Sequence, residues 1–395
     1  MDPKRFRNSK SGQVVQVGQG RTAYWAFIPS PLPPTLPPDW ELTRVLSQAD
    51  RALSELAGLG QTMPNPHLLI GPFVRREAVL SSRIEGTQAD ITDLYAYEAG
   101  QLPLPGMEAS PPESDVREVL NYVNALEYGL DRLNTLPVSL RLIRELHEKL
   151  MSGVRGEHAT PGEFRRSQNW IGPPGCTLDE ALFVPPPAPQ MHEALEALEK
   201  YLHSEDVYPP LLRLALVHYQ FEAIHPFVDG NGRVGRLLLS LLLVQWDLLP
   251  LPLLYLSAYF HRYRQVYYDL LLGVSEKGDW RAWLLFFFRG IAEQAEDALQ
   301  RARKLQDLQQ EWRGRLAQAR ISALAQRLAD SLFSAPILTI PQAQHLLGVT
   351  YPSAQRNVER LVEAGILRLV QDVSHGKTYV ATEILDVILD NERPG

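Results

Sequence analysis

A protein that is all-α in the main is predicted. Three observations carry this: apolar residues recur at helical spacing through most of the 395 positions, extended runs are few and short, and proline and glycine gather in discrete stretches. At about 150 residues per domain the length suggests two or three domains. Hydrophobic residues at 45% and charged residues at 22% are ordinary globular usage and exclude a wholly disordered, collagenous or coiled-coil chain. The 39 Lys and Arg against 46 Asp and Glu leave a net charge of −7, a poor balance for broad capture of nucleic acid or anionic membrane. Cys176 is the one cysteine, so an internal disulfide is excluded and a reducing, cytoplasmic setting is expected. The most apolar stretch, Leu237 to Tyr255, is broken by Asp247, Pro250 and Pro252. It falls short of the roughly 20 apolar residues of a membrane span and reads as a buried helix.

The first 38 residues read as irregular, with six prolines between Pro29 and Pro38 forming an extended arm. Tyr24, Trp25 and Phe27 just upstream call for burial, so the arm is expected to pack across the chain's own helices. Asp39 can cap a helix to about Leu59. Another runs from His67 to about Arg83 and breaks at Gly86, and others are expected at about 88–98, 114–133 and 137–152. The Pro- and Gly-rich stretch 99–113 reads as a loop. Between Gly162 and Gln190, Asn169 to Gly175 and Leu182 to Val184 suggest two short extended pieces around a turn. Helices resume at about 191–203, 207–224, 231–246 and 256–274, and a charged one is expected from about 278 to 333. From Pro336 on, two short helices and a two-stranded ribbon turning at Ser374-His375-Gly376 give the order of a winged helix-turn-helix. The expected domains are 1–110, a Pro-rich arm and helical region; 111–290, a helical domain; 291–335, a connecting helix; and 336–395, the winged-helix module.

One segment carries chemistry: His225-Pro226-Phe227-Val228-Asp229-Gly230-Asn231-Gly232-Arg233-Val234-Gly235-Arg236. A helix should end near His225 and a new one begin near Asn231, exposing unpaired amides with partial positive charge. Gly230 and Gly232 permit close backbone approach, and Arg233 and Arg236, three apart, share a helix face. Amides plus two guanidinium groups make a polyphosphate cradle. Asp229 beside it can hold Mg²⁺, and His225 can act as general base. Taken singly, Asp229 is more often a helix cap, His225 a structural histidine and the Arg pair a solvated face. Their concentration in twelve residues is what points to a nucleotide site. Gly230-x-Gly232-x-x-Gly235 is not a dinucleotide fingerprint, because no strand precedes it and no acidic residue follows about 20 positions on. His147-Glu148-Lys149-Leu150-Met151 lacks the second histidine of a zinc-protease helix.

His225 to Arg236 resembles the Fic signature, His-Pro-Phe-x-Asp/Glu-Gly-Asn-Gly-Arg-x-x-Arg, at every specified position, and the likeness covers about residues 20–290. Ser81-Ser82-Arg83-Ile84-Glu85-Gly86 resembles that family's inhibitory motif. The resemblance implies a helical catalytic domain with a short β-hairpin flap. The implied activity is transfer of AMP from ATP to a Ser, Thr or Tyr hydroxyl of a target protein and of the chain itself, with Mg²⁺ as cofactor. His225 would deprotonate the hydroxyl and Asp229 would bind Mg²⁺. Gly230, Asn231, Gly232, Arg233, Val234, Gly235 and Arg236 would hold the phosphates, with Phe227 anchoring the loop. Asn169, Trp170, Ile171 and Gly172 in the flap would hold the target, and Tyr267 and Tyr268 would lie near the adenine. Glu85 would pair with Arg236, blocking productive ATP binding, and in some relatives also serves AMP removal. Gly232, where a kinase-like branch has lysine, favours nucleotidyl transfer. A homodimer is the family-level expectation.

A second reading makes residues 336–380 a DNA-binding regulator, with Gln355, Arg356, Asn357 and Arg360 facing bases or phosphates and the nucleotide site as sensor. Residues 336–395 hold five basic and seven acidic side chains, which weakens that reading.

Overall fold

The computed structural model describes residues 1–62, 67–100, 111–154, 160–319, 322–373 and 376–389. Most of the loop expected at 99–113, and the Ser374-His375 turn, lie outside the described residues. Contacts divide the chain into two units, each discontinuous in sequence: Met1–Ala57 with Asn121–Ala295, and Gly58–Leu120 with Glu296–Gly395.

In the first unit, β1 (Gly12–Val17) and β2 (Tyr24–Pro29) form an antiparallel hairpin in which Val14 faces Phe27 and Val17 faces Tyr24. This corrects the expectation of an irregular N-terminal arm. The proline run begins only at the last residue of β2, while the Val- and aromatic-rich segments before it are good strand formers. Gly18, at φ +80°, supplies the left-handed turn residue between them. Phe27 is fully buried and packs against Phe6 and Phe183 at centroid distances of 5.6 and 5.7 Å. Its amide donates to Val184 O at 2.8 Å.

The chain then enters α1 (Trp40–Thr62), where Asp39 Oδ1 accepts from Leu42 N at 2.9 Å. In the second unit follow α2 (His67–Ile84), α3 (Ile91–Glu98) and the start of α4 (Glu113–Arg132). The first unit continues with α5 (Leu140–Met151), α6 (Ala188–Leu202), α7 (Pro210–Ile224), α8 (Asn231–Gln245), α9 (Ser257–Arg262) and α10 (Arg264–Lys277). α11 (Trp280–Gln318) carries the chain back into the second unit. The helix expected as continuous to 333 instead ends at Gln318. α12 (Ala323–Ser331) starts afresh because Ser322 caps it, accepting from Ala325 N at 3.3 Å.

Leu211, Leu214 and Leu216 of α7 and Leu237, Leu241 and Leu242 of α8 are fully buried, so these two helices form the centre of the first unit. The apolar run that starts at Leu237 is therefore a core helix, as its length requires, and none of the described helices is long and apolar enough to cross a membrane. Between α5 and α6 the chain makes the excursion expected to hold a hairpin. Its pairing is a single bridge, Ile171 with Phe183, around a 3-10 turn at Leu178–Glu180. Pro173, Pro174 and Pro185–Pro187 flank that bridge and donate no ladder bonds, which limits it to one rung.

The second unit ends in β3 (Ile337–Thr339), α13 (Ile340–Leu347), α14 (Tyr351–Glu363), β4 (Arg368–Val373), β5 (Gly376–Val380) and α15 (Thr382–Leu389). The strands form one antiparallel sheet of order β3-β5-β4.

Candidate active site

α7 ends at His225, which takes a left-handed conformation (φ 50°, ψ 60°) and turns the chain into the loop 226–230. The His225 ring Nδ1 lies 3.2 Å from Glu222 O. A carbonyl only accepts, so Nδ1 carries the hydrogen and Nε2 of the neutral ring keeps its lone pair. That is the tautomer a general base needs. His225 is half-buried, and Asp229 is exposed.

Asn231 shapes the loop from within. Its Oδ1 accepts from Phe227 N and its Nδ2 donates to Phe227 O, both at 2.8 Å. Such a two-point clasp fixes the Phe227 peptide, and the Phe227 ring is fully buried. Asn169, from the excursion, donates Nδ2 to the same Phe227 carbonyl at 2.8 Å and approaches His225 O at 3.4 Å. Gly230 stands at the N-cap of α8 with φ +78°, and its Cβ-less face lies against Met151 Sδ. It offers no side chain to the first-turn amides, so that helix start remains a donor surface. Gly230 N donates to Asp229 Oδ1 at 2.6 Å.

Arg233 and Arg236 are 4% and 1% exposed, which overturns the reading of the pair as a solvated face. Their charge is felt by two buried histidines. His147 is pushed down to about 4, first by burial and opposed by its bond to Asp229 O, with the Arg233 cation adding to the fall. His218 is pushed down to about 3, first by burial and then by the Arg236 cation.

Two residues that sequence reading did not select organise the loop. His147, fully buried on α5, stacks on Phe227 at 3.7 Å and 5°. Gly162 N donates to its Nδ1 at 2.9 Å, so Nε2 carries the hydrogen and donates to Asp229 O at 3.1 Å. Its signal was a polar side chain among Leu142, Ile143, Leu146, Leu150 and Met151 on the apolar face of α5. Arg165, 1% exposed, donates to Ser167, Pro186, Ile224 and His225 carbonyls. Nothing in its sequence neighbourhood marked it.

The other expected site residues separate in character. Trp170 and Ile171 are 41% and 39% exposed, and Trp170 Nε1 donates to Cys176 O at 3.0 Å. Gly172 lies against Cys176 Sγ. Tyr267 is buried, 2.8 Å from His218 Nε2 through its hydroxyl and stacked on Phe260 at 4.5 Å. Tyr268 is exposed, with Arg264 over its ring at 5.7 Å. Glu85 belongs to the second unit, immediately after α2, where it is exposed. Its amide donates to Ser82 O at 3.0 Å, and Gly86 follows at φ +101°. The turn is tied to α4 by Gln88 N donating to Asp115 Oδ2 at 2.9 Å and Thr87 Oγ1 donating to Glu118 Oε2 at 3.3 Å.

Comparison with known proteins shows what the chain is similar to. Residues 43–131 match the Fic/DOC family N-terminal model and residues 137–243 the Fic/DOC family model. Over 187 residues, 46% of the chain, it is 32% identical to the protein adenylyltransferase Fic of Drosophila grimshawi, covering 34% of that protein. It is 30% identical over the same length to the Drosophila erecta protein of that name, covering 33% of it. The chain thus spans about a third of these curated relatives. A crystal structure of a Fic family protein from Desulfovibrio desulfuricans G20 shares the fold, with TM-score 0.55 at 19% identity, over 89% of this chain and 98% of that one. Residues 137–243 are thus similar to the Fic/DOC family, and residues 43–131 to the N-terminal segment described for that family.

Proposed function

We propose that the chain is a protein adenylyltransferase. The observation that carries this is the His225 Nδ1 contact with Glu222 O, which assigns the base nitrogen to Nε2 at the start of a loop that runs directly into the amide end of α8, in a segment that matches the Fic/DOC family model. Nε2 takes the proton of a Ser, Thr or Tyr hydroxyl. The hydroxyl oxygen then forms a bond to the ATP α-phosphorus as the bond from that phosphorus to the α,β-bridging oxygen breaks, and pyrophosphate leaves. The chain's task is positioning and charge stabilisation. Amides of Asn231 to Arg233 and the guanidinium groups of Arg233 and Arg236 offset the phosphate charge.

The donor set fits Mg²⁺. Asp229 presents an exposed carboxylate whose Oδ1 is oriented by Gly230 N, and Mg²⁺ commonly takes one or two carboxylates with phosphates completing its shell. Bound there, the ion would neutralise charge on the α- and β-phosphates. Asn169, fastened to the loop, orients the exposed Trp170 and Ile171, with Gly172, as the place where target backbone is held. Tyr267 and Tyr268 are assigned to the adenine side of the site.

Glu85 is the inhibitory carboxylate in this reading, and residues 336–380 are a winged-helix module for docking protein. Asn357 is 6% exposed, with Ser322 Oγ 2.8 Å from its Oδ1 and its Nδ2 donating to Ser353 O. Gln355 donates to Glu359. Asn357 is engaged inside the fold and Gln355 is paired along the helix surface, which disfavours base reading by these two amides.

The test is incubation with labelled ATP. Glu85→Gly should raise self-labelling, and His225→Ala should abolish it in either background. Equal labelling with and without Glu85 removes the inhibitory role, and labelling that survives His225→Ala removes the mechanism.

A further inference from the structure

We propose that Arg165 is a positioning residue that couples the two ends of the flap to His225 and holds that histidine in its base-competent tautomer. Its catalytic consequence rests on the adenylyltransferase reading. The geometry behind it does not.

Arg165 is 1% exposed, and every hydrogen bond the structure gives its side chain goes to a main-chain carbonyl. Nε donates to His225 O at 2.9 Å and one terminal nitrogen to Ser167 O at 3.2 Å. The other reaches Pro186 O at 2.5 Å and Ile224 O at 3.4 Å. Its own amide donates to Pro226 O at 2.9 Å. Three consecutive carbonyls, Ile224 to Pro226, are therefore gathered by one residue. Ser167 lies where the flap leaves the domain and Pro186 where it returns, so the same guanidinium fixes both roots of the excursion.

The chemistry explains why arginine stands here. Carbonyls at the C-terminus of α7 carry the negative end of the helix dipole and favour a cation. A rigid planar fork reaches several of them at once, where an ammonium is a compact point charge on a flexible stem. Burial brings the guanidinium down to about 10, which leaves it charged at neutral pH. His225 needs such support because a residue with a side chain disfavours φ 50°. If the His225 carbonyl is released, the backbone relaxes from that conformation. The ring then leaves Glu222 O, the carbonyl that holds the hydrogen on Nδ1.

The experiment uses the full chain in the Glu85→Gly background, comparing Arg165, Arg165→Lys and Arg165→Ala. Three readouts are kcat and KM for ATP, rescue of Arg165→Ala by guanidinium or methylammonium, and the long-range ¹H–¹⁵N spectrum of the His225 ring. The proposal expects kcat to fall on the order of 10²-fold with KM for ATP unchanged, as for a misplaced reacting group. Guanidinium, and not methylammonium, should restore part of it, and the ring should pass from the Nδ1–H tautomer to a mixture. A folded Arg165→Lys protein with parental kcat, or one that loses kcat with an unchanged ring spectrum, overturns the proposal. Should Arg165→Ala not fold, the Lys variant decides. Should the parent protein transfer no AMP, the adenylyltransferase reading fails while the ring spectrum still decides the role of Arg165.

Discussion

Replacing His147 by phenylalanine separates the two things this residue does. A phenyl ring retains the parallel contact with Phe227 at 3.7 Å but can neither accept from Gly162 N nor donate to Asp229 O. The two losses differ in weight. The Gly162 bond is buried, so its amide loses its acceptor without gaining water, at a cost of about 1–3 kcal/mol. Asp229 is exposed and its carbonyl can be rewetted, so that loss is nearer the net value of an ordinary hydrogen bond, about 1 kcal/mol. His147→Phe is therefore expected to destabilise the domain by about 2–4 kcal/mol, a large part of a typical stability of about 5–15 kcal/mol. Glutamine can keep the Asp229 bond through its amide nitrogen and should lie between wild type and His147→Phe. Urea unfolding of the three proteins measures this. If His147→Phe is as stable as wild type, the stack alone explains the site and the assigned hydrogen bonds carry no weight.

Two further predictions concern the same core. Gly230→Ala puts a side chain at φ +78° and its Cβ 2.9 Å from Met151 Sδ; thermal unfolding should show a loss of at least the roughly 1–2 kcal/mol of a left-handed alanine, and an unchanged midpoint refutes it. His218 is held to about 3 by burial first and by the Arg236 cation second, with a hydrogen bond to the Gly235 backbone opposing. Its folded pKa lies below its unfolded value, so the unfolded chain binds the extra proton. Stability is full above about pH 6.5 and should fall by up to about 1.4 kcal/mol per pH unit as pH drops toward 3. A His218→Phe variant should show a flatter stability profile between pH 6.5 and 4, and the same slope as wild type would assign the acid sensitivity elsewhere.

Much of the fold was legible in periodicity, because α7 and α8 are helices whose apolar residues fill the centre of the first unit. The twelve-residue segment was legible for a different reason: its chemistry is local. The Asn231 clasp on Phe227 spans four residues, and the bond from Gly230 N to the Asp229 carboxylate spans one. His147 and Arg165 escaped because their partners are distant in the chain, 82 residues for the Asp229 bond and 60 for the His225 bond. No spacing rule reaches across such separations. The N-terminal hairpin was missed for a third reason. Six prolines dominated the reading of the arm, although all but Pro29 follow β2.

The net charge of −7 and a site that gathers cations are reconciled by where charge is withheld. Histidines next to guanidinium groups would, in water, be partly protonated near neutral pH and add to the positive field. Burial keeps His147 and His218 neutral, so they serve as uncharged spacers beside Arg233 and Arg236. The positive side of the field at the α8 N-terminus then comes from the Arg233 and Arg236 guanidinium groups and the helix amides, with the Asp229 carboxylate on Gly230 N opposing it. His225 is half-buried, with Nδ1 committed to Glu222 O. In the proposed reaction, proton transfer within this segment is assigned to one nitrogen, Nε2 of His225. A nucleotide site of the kind proposed needs no basic domain around it, so a net charge of −7 does not oppose that reading.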